Sequence, residues 1–170
     1  YLVQLRDYLW KVISGFDLGT SYAYKRPVIE MIGEVIGKTV SLGLLGTGLC
    51  ILIGVPLGIL AATKQYSVID YISTVFATIL AALPSFWLAL MLMLLFSVKL
   101  KWLPISGLSG PLNYVLPVIS IGAFPVAMIT RMTRSSMLEV IRQDYITTAK
   151  AKGLPSGVVI FKHALRNGII

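Results

Sequence analysis

The chain has 170 residues, 56% of them hydrophobic and only 13% charged, with a mean hydropathy of +0.84. Soluble domains carry about a quarter charged residues, so this composition places most of the chain in lipid rather than water. One cysteine, Cys50, excludes a disulfide framework or a cysteine-rich zinc cluster.

Residues 1–38 mix aromatic, charged and turn residues. Leu2, Leu5, Leu9, Val12 and Ile13 recur at helical spacing, which predicts a short amphipathic helix ending near Gly15. DLGTSY then reads as loop, and nothing in this segment is long and apolar enough to cross a bilayer. The chain starts at Tyr1 without an initiator methionine or a signal peptide. It stops at Ile170 in mid-pattern, as expected of a piece of a longer protein.

Three spans are predicted next, about 39–62, 71–98 and 114–137. Thr39–Ala62 is free of charge and exceeds the roughly 20 residues needed to span the hydrocarbon core. Gly54, Gly58 and Ala62 fall four apart, a small-residue stripe that lets a neighbouring helix approach closely. Pro56 is expected to distort this span. After the link TKQYSVID, the uncharged run Tyr71–Val98 has Pro84 at its middle. Pro84 with Ser85 reads either as a bending point for gating or as a static kink, and Trp87 either lines a pathway or faces lipid. A Pro/Gly-rich loop precedes the third span, which begins near Tyr114 and holds Pro117 and Pro125.

The net charge is +8, unevenly spread: 131–167 holds seven basic residues against two acids. Loops left in the cytoplasm are enriched in Lys and Arg, which puts this segment inside and residues 1–38 outside. An apolar stripe of Met137, Ile141, Tyr145 and Ala149 predicts an amphipathic helix running up to Gly153. Gly153 followed by Pro155 is a helix stop, and Ser156 is a candidate N-cap for a second short helix through Arg166. Small Ala149, Ala151 and Gly153 are expected to keep one side of this turn thin enough for close approach of another protein. The residues alone leave three readings: a membrane-surface helix on anionic headgroups, a DNA-binding helix pair, or a docking element for a cytoplasmic partner.

DYITTAKAKGLPSGVVIFKHALRN, from Asp144 to Asn167, resembles the coupling-loop signature of binding-protein-dependent ABC importers, in their peptide and nickel branch. The branch pattern D-Y-(two or three residues)-T-A-(K/R)-A-K-G-L, then H-A-(L/F)-(R/K)-N, is met by Asp144, Tyr145, Thr148, Ala149, Lys150, Ala151, Lys152, Gly153 and Leu154, and by His163 to Asn167. Thr147-Thr148-Ala149 stands where the general motif has Glu-Ala-Ala. FDLGTSY with Arg26-Pro27-Val28, GVPLG (54–58) and LPSFW (83–87) add to the match in the expected order, so the resemblance covers nearly the whole chain.

The resemblance implies an all-α polytopic membrane protein of the MetI-like permease fold, lacking here the first span and the last two of six. It further implies a peptide importer in a prokaryotic plasma membrane, built with a second permease subunit as a heterodimer, two cytoplasmic ATPase subunits and an extracytoplasmic binding protein. The helix of Asp144–Lys152 would then sit in a groove on the ATPase. ATP and Mg²⁺ are expected on that partner and not on this chain, which has no GxxxxGK(S/T) loop. No residue constellation suggests catalysis or metal binding, and no nucleic acid is expected as partner. His163, the only histidine, reads as structural. A membrane-anchored scaffold using the basic helix pair, or a secondary carrier, are the alternatives. The spans hold no Asp, Glu, Lys, Arg or His before Arg131, which counts against the carrier.

Overall fold

The computed structural model describes residues 1–107 and 109–168. Leu108, in the predicted outer loop, and Ile169 and Ile170, at the end of the coupling segment, lie outside the described residues. The described residues are mainly helical, with one isolated bridge between Thr20 and Pro27 and no strand. The chain divides into two units, residues 1–43 and 44–170.

The first unit holds α1 (Leu2–Gly15), a loop and the start of α2 (Val28–Leu49). Phe16 closes α1 in the left-handed conformation at φ 51, its N–H donating back to Val12. No residue of α1 is buried. Arg26 pairs with Glu34 across two turns of α2.

Helix Val28–Thr63 runs for 36 residues, so it begins eleven residues before the predicted span. Hydropathy marks where a helix enters lipid, not where it begins. Glu30 in the first turn suits the positive end of the helix dipole, and Glu and Lys are good helix formers. Within it a π-helical turn, Cys50–Gly54, precedes α3 (Val55–Thr63). Pro56 lies inside this continuous helix directly after the π-helical turn, the kind of local distortion expected at a proline.

The predicted single span 71–98 is two helices. α4 (Val68–Ala82) and α5 (Ser85–Leu92), the latter prolonged by a π-helical Met93–Lys99, meet at 100°. Leu83 (ψ 125) and Pro84 (ψ 134) are both extended. A proline ring disfavours the helical region for the residue before it, which fits the extended Leu83.

α6 (Leu112–Ile141) runs through Pro117 and Pro125 without a break, as membrane helices tolerate when neighbours cover the freed carbonyls. Thr130 and Ser120 donate their hydroxyls to Val126 O and Leu116 O, both at 2.8 Å. α6 is the centre of the second unit. Its buried face, Leu116, Ser120, Ala123, Val126, Ala127 and Thr130, packs on α3, α4 and α5. At the seam with α3, a Cβ on Gly54 would stand 2.9 Å from Ile129 Cγ2, and Ala62 is buried.

The large apolar side chains turned outward, such as Leu52, Ile72 and Leu44, are 64–76% exposed. Such a surface requires an apolar surround. With helices Val28–Thr63 and Leu112–Ile141 and the bent pair long and apolar enough to cross a bilayer, this is an all-α polytopic membrane protein.

Candidate functional site

The helix expected to run from α6 to Gly153 is interrupted. Gln143 is extended (ψ 149), and α7 (Asp144–Ala151) starts afresh after it. The interruption rotates the face that points inward. Ile146 is fully buried and Ala149 is 8% exposed, whereas Tyr145 is 43% exposed. The expected stripe therefore does not form: Met137 and Ala149 face the core and Tyr145 does not. Ala149 and Ala151 also lie on opposite sides, the first against the core and the second exposed.

Beneath α7 lies one apolar cluster. Ile59 and Ala62 from α3, Met137 from α6, Ile146 and Ala149 from α7, and Val159 and Ala164 beyond the turn make it up. Burying a side chain such as Ile146 or Met137 contributes about 1.5–3 kcal/mol each, so α7 is held firmly on the ends of α3 and α6.

The turn after α7 has a defined geometry. Gly153 takes φ +77; its N–H donates to Lys150 O at 2.9 Å and that of Leu154 to Ala149 O at 3.4 Å. These are the paired bonds of a Schellman motif, which only a residue free to adopt positive φ closes without strain. Nothing stands within 4 Å of a Cβ added at Gly153, so the turn is open on its outer side. Pro155, not Ser156, occupies the cap position of α8 (Ser156–Val158), because its fixed φ of −63 already suits the entry to a helix. A π-helical stretch, Val159–Ala164, and α9 (Leu165–Gly168) follow. Asn167 Nδ2 donates to Tyr145 Oη at 2.9 Å, closing α9 back onto α7.

The outer face so formed carries Asp144, Tyr145, Thr148, Lys150, Ala151, Lys152, Gly153 and Leu154, all exposed. It is a small basic platform on a rigid base. Among the described residues no three His, Cys, Asp or Glu side chains gather as a metal site.

Pro84 and Ser85 lie at the break between α4 and α5. Ser85 lines a cavity of about 390 Å³ with Phe86, Met93, Asn113 and Ser120, between α5, the loop at 104–107 and α6. Trp87, 43% exposed, does not line it.

An ion pair at the other end of α4 escaped the sequence reading. Asp70, 4% exposed, receives Nε of Arg134 at 2.6 Å and its terminal nitrogen at 2.8 Å. The signal was present, an acid opening one apolar run and a base near the end of another, but nothing in their spacing of 64 residues shows that they meet.

Residues 54–170 match the family described as binding-protein-dependent transport system inner membrane component. The chain belongs to that family. Its members are membrane-integral transport permeases, not enzymes. The relatives include a dipeptide transport system permease protein DppB of Alkalihalophilus pseudofirmus, 39% identical over all of this chain and 59% of its own length. The oligopeptide transport system permease protein AppB of Bacillus subtilis is 40% identical over 99% of this chain and 56% of its own. The glutathione transport system permease protein GsiC of Pectobacterium atrosepticum is 36% identical over 98% of the chain and 54% of its own. The chain thus spans rather more than half the length of these permeases.

Proposed function

We propose that this chain is part of a permease subunit in an ATP-driven importer of peptides, and that α7 with the Gly153 turn is where the permease meets its motor. The observation that carries this is the outer face of α7. It is polar, basic and thin at Ala151 and Gly153, while its inner face is locked by Ile146 and Ala149 onto α3 and α6. A push on such a platform is delivered to membrane-crossing helices instead of being lost in a loose loop. Relatives named for dipeptides, oligopeptides and glutathione support peptide as the cargo class.

In this reading residues 1–38 face the outside of a prokaryotic plasma membrane and 138–167 face the cytoplasm, because the basic residues concentrate there. A second permease subunit completes the pathway as a heterodimer. An extracytoplasmic binding protein delivers substrate, and two cytoplasmic ATPase subunits hold ATP and Mg²⁺. Pro84 and Ser85 sit at the bend between α4 and α5, which in this reading borders the pathway, and Gly54, Gly58 and Ala62 form the seam along which α3 packs on α6.

The test is cross-linking from the outer face of α7. Single cysteines at Thr148 and Ala151 in the full-length subunit, with the buried Cys50 replaced by Ala, are expected to cross-link a co-expressed ATPase subunit in an ATP-sensitive manner. A cysteine at Ala149 points inward and is expected not to. Correctly inserted protein with no cross-link from Thr148 or Ala151 would overturn the docking role and leave this face to anionic headgroups.

A further inference from the structure

We infer that the Asp70–Arg134 pair is a positioning element for energy coupling, fixing the register of α4 along α6 so that motion of α7 is passed to the break at Leu83–Pro84. The inference rests on the proposed permease function and adds a role for two residues outside the docking face.

The helix faces require such a device. The buried residues of α4, which packs on α6 and to a lesser extent on α3, are Asp70, Ser73 and Ala77. Ser73 and Ala77 are small and offer little interlock, so the two helices meet on a smooth seam. Among the described residues, every side-chain hydrogen bond between α4 and α6 is one that Arg134 donates to Asp70. The guanidinium grips both carboxylate oxygens, and such a planar fork fixes direction as well as distance.

The same carboxylate also anchors the turn before α4. Tyr66 N–H donates to Asp70 Oδ2 at 3.0 Å, Thr74 Oγ1 to Oδ1 at 3.5 Å, and Asp70 N–H to Ser67 Oγ at 3.4 Å. Tyr66 itself is held at φ 62, in a region disfavoured for its side chain. A second tie, Arg142 to Gln65 Oε1 at 3.4 Å, joins the same turn to the end of α6, next to the start of α7. The turn between α3 and α4 is thereby fastened to α6 at two levels. Beyond it α4 runs free of polar ties to α6 until it breaks at Leu83.

Stability alone is a poor account of the pair. Desolvating two charges offsets most of what a buried ion pair gains, and apolar replacements of similar volume are often as stable. What an apolar pair does not supply is a direction.

The experiment measures peptide transported per ATP hydrolysed by the full-length subunit reconstituted with its partner subunits in proteoliposomes. The double variant Asp70→Leu with Arg134→Met leaves no orphan charge. It is expected to insert and assemble normally, to keep its basal ATPase, and to lose at least fivefold in transport per ATP. An unchanged ratio in the apolar double variant overturns the inference. Should that variant fail to insert, Arg134→Lys decides, since it keeps the charge but loses the fork: a reduced ratio supports the role and a wild-type ratio overturns it. A wild-type subunit that recruits no ATPase would instead defeat the proposed function itself, and this inference with it.

Discussion

Gly58 and Thr133 leave no room between them: a Cβ added to Gly58 would stand 2.5 Å from Thr133 Cβ and 2.7 Å from the carbonyl oxygen of Thr130. One of these neighbours is backbone, so neither rotamer change nor a flexible chain end relieves the clash. Gly58→Ala is therefore expected to force α3 away from α6, at about 1–3 kcal/mol as for other overpacked cores. Gly48, with nothing within 4 Å, is the control. Thermal unfolding of the purified full-length subunit should show a lowered midpoint for Gly58→Ala and none for Gly48→Ala. Equal midpoints would mean that α3 and α6 are not so closely apposed.

The base of α7 makes a second prediction. Ile146 is fully buried among Met137, Val159 and Ala164. Ile146→Ala is expected to destabilise by about 2–5 kcal/mol, the usual range for emptying such a site. Because the loss is local, amide exchange in α7 should rise well before the membrane helices loosen. Tyr145→Ala, on the outer face, should leave exchange within α7 far closer to wild type. Similar exchange in both variants would refute the inward rotation of this helix.

That rotation marks the boundary of what the sequence discloses. Hydrophobic periodicity identified the apolar runs and the basic segment, because lipid and water impose their demands residue by residue. Periodicity was less informative at 137–149, where two helices on either side of Gln143 each obey it with a different phase. A four-residue spacing continued across such a break assigns Tyr145 to the core and hides Ile146. The span at 71–98 misled for a related reason: hydropathy registers that both arms are apolar and is blind to the 100° between them. Pro84 was the local sign of the break, but a membrane helix also carries Pro117 and Pro125 without interruption. The pairing of Asp70 with Arg134 depends on tertiary placement throughout.

Gly153 provides a third prediction. Its φ of +77 costs a non-glycine residue roughly 1–2 kcal/mol, although open space surrounds the position. Gly153→Ala should therefore weaken the turn without any clash, and Gly153→Asn, which tolerates the left-handed region, should be milder. Under the proposed function both variants insert normally, and the affinity for the ATPase subunits falls in the order Gly, Asn, Ala. A binding assay that ranks Asn below Ala would show that side-chain bulk, not backbone conformation, matters here.

The break at Pro84 gives the last prediction, and it separates a bend imposed by one residue from a bend imposed by packing. Pro84 offers no N–H to Leu80 and holds Leu83 extended. The helix on each side remains well bonded: Leu83 N–H donates to Ile79 O at 3.2 Å, and Leu88 N–H to Pro84 O at 3.0 Å. Alanine restores the missing donor and relieves the preceding residue, so Pro84→Ala is expected to let α4 and α5 approach one continuous helix. Spin labels at Val75 and Leu94, both on exposed faces, should move apart as the 100° bend opens. Transport by the full importer should fall by about an order of magnitude if this bend has to form in each cycle, equivalent to about 1.4 kcal/mol. A wider label distance with undiminished transport would make Pro84 a static kink. An unchanged distance would place the cause of the bend in the packing of α4 and α5 against α6.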